Sequence, residues 1–222
     1  MSWLGFAGVF ALFFATHSIP VRPAIKARIS AVIGARGFSM AYSILSIAML
    51  ALLIRAAGQA PYVELWPQAG WQRHVVHLGM LTVCILLAFT LGRPNPFSFG
   101  GARNDRFDPA RPGIVRLVRH PVLAVLLLWA LVHMLVNGDL AHVLMFGVLG
   151  AFAYLGRSLI NRRKQRQMGQ DRWQDLNAAV ASAPLLQRPA SLPGACLRLL
   201  CGVAAFAALA MLHPVVIGVA VW

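Results

Sequence analysis

Six apolar stretches, each close to the length of a bilayer's hydrocarbon core, dominate this 222-residue chain. They run roughly over Trp3–Ile19, Phe38–Ile54, His74–Leu91, Pro121–Val136, Leu140–Gly156 and Leu199–Trp222. About 20 helical residues cross such a core, and inside it every backbone N–H and C=O must find its partner within the segment. The expectation is an all-α fold, a polytopic membrane helix bundle of about six transmembrane helices. The fourth stretch is short and is expected to reach back through Val115–Val118. Composition agrees: 59% of residues are hydrophobic and 12% charged, where a soluble domain carries about a quarter charged. An ordinary soluble enzyme and a disordered chain are both excluded.

The first stretch has no Lys or Arg before it, and Thr16-His17-Ser18-Ile19-Pro20 offers no small-x-small cleavage site. It is expected to stay as a membrane helix. Charge sets the orientation. Of 20 Lys and Arg, 18 fall in three alternate connections, Val21–Gly37, Gly92–Arg119 and Arg157–Arg198, and only Arg55 and Arg73 lie on the other side. The positive-inside rule then makes the three basic loops cytoplasmic and both termini periplasmic, in a multi-pass cell inner membrane. The formal net charge of +14 needs no nucleic acid; a lipid bilayer with anionic headgroups accounts for it.

Asn137-Gly138-Asp139 is a strong turn signal and makes the flanking helices antiparallel neighbours. The segment Asn161–Pro193 opens on Arg162-Arg163-Lys164-Gln165-Arg166, continues through Trp173 and Leu176, and ends in Pro184, Pro189 and Pro193. It reads as an interfacial helix inside a cytoplasmic segment of about 157–198. The whole chain, 1–222, reads as one membrane domain.

Chemistry has few candidates. Cys84, Cys196 and Cys201 lie in or beside apolar runs, with neither a CxxC nor a zinc spacing. The six acids sit in loops or at the Asp139 turn, so no carboxylate pair is available at membrane depth. The polar groups left there are mostly imidazoles: His17, His77, His120, His133, His142 and His213. An ionisable group inside a bilayer marks a site or pathway by default, and neutral imidazole is a standard ligand for haem iron. His120 and His133 stand thirteen residues apart on one helix, about 20 Å along its axis, and cannot share an iron. Depth alone pairs His77 with His133, and His17 with His120. Arg119-His120-Pro121 sets a cation and an imidazole at a helix start, suited to a haem propionate, a cofactor carboxylate or a lipid phosphate. The same motif also reads as a plain helix start with Pro near N1.

Three groups of residues carry a family resemblance. Ala15-Thr16-His17-Ser18-Ile19-Pro20, a basic stretch, and Gly37-Phe38 with Tyr42-Ser43 form the first. Gly113-Ile114, Arg119-His120-Pro121, Trp129-Ala130-Leu131-Val132-His133 and Asn137-Gly138-Asp139 form the second. Asn161-Arg162-Arg163-Lys164 with Gly169, Trp173 and Leu176 forms the third. Together they resemble the NnrU family over nearly the whole chain. That family includes the plant and cyanobacterial 15-cis-zeta-carotene isomerase, an integral membrane haem b protein, and bacterial members associated with denitrification and nitric oxide metabolism.

The resemblance implies haem b as cofactor, with His17 and His133 as ligands; His133 ranks first and His17 second, with His77 and His120 as alternates from the depth pairing, and Arg119 beside the cofactor from the helix-start reading. It implies an apolar polyene or other lipophilic substrate, and either cis–trans isomerisation or a nitric-oxide-related redox role. Ala130 stands where the isomerase has a Cys three residues before its second ligand. A second resemblance, carried by Arg119-His120-Pro121 and the later basic helix, is to the isoprenylcysteine carboxyl methyltransferase architecture. It implies S-adenosylmethionine-dependent methyl transfer, but Leu123 stands in place of that motif's Tyr. A third reading is a non-catalytic membrane scaffold for a respiratory or denitrification complex.

Overall fold

With no water to satisfy the backbone, apolar runs fold as helices. The computed structural model describes residues 1–221 and contains eight α-helices among them: α1 Trp3–Ser18, α2 Pro23–Gln59, α3 Gly70–Thr90, α4 Ile114–Leu117, α5 Pro121–Asn137, α6 Leu140–Met168, α7 Gln170–Ser182 and α8 Leu192–Val216. A 3₁₀ turn lies at Asn104–Arg106, and among the described residues the only β-type pairing is an isolated bridge between Glu64 and Asp139. All six apolar stretches are helical. Four of them, α2, α3, α6 and α8, are long and apolar enough to cross a membrane. The other two, α1 and α5, are apolar but only 16 and 17 residues long. The last stretch begins earlier than expected, at Leu192, and its helix also ends earlier, at Val216, so residues 217–221 lie beyond it; Trp222 itself is outside the described residues.

The chain forms two compact units. The first holds Met1–Pro67 and Asn137–Met145. Ser2 caps α1, its Oγ accepting from Gly5 N at 3.1 Å, and Pro23 opens α2. The two helices are antiparallel and pinned at both ends of α1. The Met1 ammonium donates to Gln59 O at 2.7 Å, and Tyr42 Oη donates to His17 O at 2.8 Å. Met1–His17 and Tyr42–Gln59 are matched lengths of about 25 Å, so the basic start of α2 overhangs α1. Gly34, at φ 75° and ψ 163°, breaks the helical path inside that overhang. Only glycine enters such a region without strain, and the kink falls between Lys26 and Arg28 on one side and Arg36 with the apolar run from Phe38 on the other.

The 137–139 turn belongs to this unit as well. Gly138 O accepts from Leu65 N (2.8 Å) and Trp66 N (3.2 Å), and Val63 O accepts from Leu140 N (2.9 Å).

The second unit holds Gln68–Val136 and Phe146–Trp222. Here α3 and α8 pack antiparallel. Gly202 of α8 lies so close to Ile85 that an added Cβ would meet the Ile85 Cα at 2.7 Å. Small residues that let backbones approach are the usual device where lipid supplies no hydrophobic drive. Arg198 Nη1 donates to Ala88 O (2.5 Å) and Leu91 O (3.2 Å), satisfying carbonyls at the end of α3 and opposing its dipole. Gly79 of α3 faces Val132 of α5, and Gly150 and Gly156 of α6 face Ala130 and Leu123 of α5.

Two expectations are corrected. The fourth stretch does not extend back through Val118. Residues Ile114–Leu117 make a separate turn, Val118 is extended, and α5 begins at Pro121. The residue before a proline is held out of the helical region, and proline has no N–H to continue a helix. The basic run Arg162–Arg166 does not open a new helix either. It ends α6, which is continuous for 29 residues, and the break falls at Gly169.

Helix α7 then carries Trp173, Leu176 and Val180 at helical spacing. They pack with the fully buried Phe97, with Val115, and with Phe107 and Ile114.

Candidate functional site

One imidazole stands just before α5 and another near its end, and the chain holds them differently. His133 is half-buried in α5, and its Nδ1–H donates to the Trp129 carbonyl one turn back at 2.8 Å. A carbonyl only accepts, so in the neutral ring the lone pair sits on Nε2. This backbone anchoring of one ring nitrogen is how ligand histidines are oriented. The ring lies 5.2 Å from both the Trp129 and Phe146 rings. Phe146 also lines an apolar groove of about 320 Å³ between α5 and α6, walled by Leu127, Leu131, Met134, Gly150 and Ala151.

His120, just before α5, is 4% exposed and is held by both nitrogens. Its Nε2–H donates to Asn161 Oδ1 at 2.9 Å, and its Nδ1 accepts from Ser98 Oγ at 3.0 Å. An iron at either nitrogen would have to displace a hydrogen-bond partner, the buried Ser98 or the partly buried Asn161. Arg119 is fixed as tightly. Its guanidinium donates to Asn177 Oδ1 and lies 5.5 Å from the Phe97 ring and 5.1 Å from the Trp173 ring. Its carbonyl accepts from Asn95 Nδ2 at 3.0 Å, while Asn95 Oδ1 accepts from Phe97 N at 3.1 Å. Burial pushes the pKa of both Arg119 and His120 below their ordinary values, and for His120 the nearby Arg119 and Arg157 add to that push.

Within this network the Trp173 Nε1–H is buried without a hydrogen-bond partner, which costs about 1–3 kcal/mol. Trp173→Phe is therefore expected to keep thermal stability within about 1 kcal/mol of the parent. Trp173→Ala is expected to lose about 3–5 kcal/mol. Thermal unfolding of the purified chain checks both.

The remaining candidates lie elsewhere. His17, in the first unit, stacks on Phe13 at 5.6 Å with 7° between planes and lies 5.7 Å from the Tyr42 ring. His77, in the second unit, shares the His133 pattern: its Nδ1–H donates to Arg73 O at 2.6 Å, and Phe206 meets it edge-on at 6.3 Å. The structure thus joins Arg119 and His120 in one network, while His77 and His133 each have their own surroundings in that unit.

The sequence reading missed one pair. Asp139 Oδ2 lies 2.7 Å from His142 Nδ1, and Asp139 Oδ1 accepts from His142 N at 3.2 Å, capping α6. The i, i+3 spacing of an acid and a His just after a Gly turn was the available signal.

Among the described residues no group of three or more His, Cys, Asp or Glu could hold a metal ion, and all three cysteines are free. An axially held haem draws on only two side chains and needs no such group.

A family model described as NnrU protein matches residues 5–221, nearly the entire chain. No curated protein and no solved structure matches it.

Proposed function

The chain belongs to the NnrU family, and we propose that it is an integral membrane protein that binds haem b and acts on a lipophilic substrate or in nitric-oxide-linked redox chemistry. The observation that carries this reading is the His133 geometry. Trp129 O accepts from the His133 Nδ1–H, the backbone anchoring that orients ligand histidines, and the ring lies against Phe146 at the edge of an apolar groove. His133 is the first ligand in this reading, and His17, set on the Phe13 face, is the further candidate that the family resemblance implies. When bound, haem supplies a redox-active iron able to polarise a conjugated double bond or exchange one electron.

This chain's own contribution is ligation, orientation and an apolar approach. Trp129 and Phe146 flank the His133 ring, and the open α5–α6 groove offers an apolar surface to a hydrocarbon chain. Ala130 is 1% exposed and packs on Gly150, so this position offers no thiol for a ligand switch. The 18 to 2 charge split supports an inner-membrane orientation with both termini periplasmic.

The Arg119-His120 network favours a second reading, a membrane scaffold for a respiratory or denitrification complex, because its side chains brace the fold from within. The methyl-transfer reading has less support, since Leu123 is buried against Gly156 where the motif's Tyr would stand.

The optical spectrum of the full chain, purified after expression with ample haem, separates the first two readings. The haem reading expects a Soret band that His133→Ala abolishes and His120→Ala leaves in the folded fraction. A folded chain with no Soret band would falsify it and leave the scaffold.

A further inference from the structure

The elbow between α6 and α7 combines a fixed depth, a charge and a concave shape. From Leu140 to Ile160 the helix has 21 residues, about 30 Å of length, which equals the hydrocarbon thickness. The one charge in that stretch, Arg157, lies three residues from its end with its guanidinium 3.9 Å from the Tyr154 ring, placed to snorkel. The helix continues unbroken into Arg162, Arg163, Lys164 and Arg166, so these residues fall about 3–9 Å past the hydrocarbon edge, among lipid phosphates.

The chain then turns at Gly169, and α7 is anchored by Trp173, Leu176 and Val180 against the Phe97 core. This leaves a shallow, open depression lined by Arg162, Gln165, Arg166, Gly169 and Gln170. Arg162 and Arg166 are exposed and share one helix face at i, i+4, where like charges repel unless an anion lies between them. The nearest acids in sequence, Asp171 and Asp175, make no ion pair with them within 4.0 Å; among the described residues the one such pair is Asp139 with His142. Two arginines supply the donors that grip a phosphate, and two glutamines add neutral donors for a polar headgroup.

We propose that the α6–α7 elbow is a binding site for the headgroup phosphate of an anionic phospholipid, held by Arg162 and Arg166 with Gln165 and Gln170 beside it. The site is independent of any haem.

Native mass spectrometry of the full chain in mixed micelles of phosphatidylcholine and phosphatidylglycerol tests it. The parent retains phosphatidylglycerol preferentially. Arg162→Gln with Arg166→Gln lowers that preference by about fivefold per arginine. Arg28→Gln with Arg36→Gln removes the same charge from α2 and leaves the preference in place. Arg162→Lys with Arg166→Lys keeps most of it and controls for folding. Three results overturn the proposal: an unchanged preference in the double glutamine variant, an equal loss in the α2 variant, or displacement of the lipid by inorganic phosphate, which marks a site for a free anion.

Discussion

A chain carrying His120→Ala is expected to lose about 3–5 kcal/mol of stability, read as a large drop in thermal midpoint for the purified protein. Two hydrogen bonds disappear, and Ser98 Oγ and Asn161 Oδ1 are left where His120 had satisfied them. Ser98 is 2% exposed, so water cannot readily replace the lost partner, and each stranded group costs about 1–3 kcal/mol. The cavity left by the ring adds its own cost.

The same burial gives this part of the fold a pH dependence. The folded pKa of His120 lies below the ordinary 6.5, first through burial and then through Arg119 and Arg157, while the Asn161 bond opposes. Above 6.5 the ring is neutral in both folded and unfolded chains, and its contribution is fully present. As pH falls from 6.5 towards the lowered folded value, the unfolded chain takes up the proton first, and stability falls by at most about 1.4 kcal/mol per pH unit. His120→Ala is expected to flatten that part of the stability–pH curve. A curve of unchanged slope, or a loss under about 1 kcal/mol, means that His120 is not the brace described.

The second large effect is expected at Gly138. Its φ of 65° already disfavours any other residue, at about 1–2 kcal/mol. A Cβ there would also collide with the Trp66 carbonyl oxygen and lie 3.0 Å from its indole Nε1. Trp66 cannot readily retreat, because its own N–H and that of Leu65 both donate to the Gly138 carbonyl. Gly138→Ala should therefore cost about 2–5 kcal/mol. Gly92→Ala is the comparison: φ is 70° but no atom lies within 4 Å of the added carbon, so only the conformational cost of about 1–2 kcal/mol applies. Thermal midpoints of the two variants decide it, and equal losses remove the steric part of the argument.

Linear pattern made the helices legible. The apolar runs fix them because lipid offers the backbone no partner, and the Asn137-Gly138-Asp139 signal located a turn that α5 and α6 do flank. Boundaries were less legible where two local rules competed. Val115–Val118 is apolar enough to extend α5, yet Pro121 sets where α5 starts. Arg162–Arg166 looked like a new helix because charge marks a change of environment, yet nothing before Gly169 breaks the backbone.

The candidate site divides in the same way. Arg119, His120 and His133 were all readable as unusual side chains, but not the difference between them. That difference rests on Ser98 and Asn161, 22 and 41 residues from His120, against a carbonyl one turn from His133.

What the chain's linear order settled alone was the solvent it lives in: runs of about 20 apolar residues flanked by arginine admit only lipid-spanning helices. Which imidazole is held by side chains far away in sequence and which by a carbonyl one turn back was decided only by folding, because hydrogen-bond partners distant in sequence become neighbours only in three dimensions.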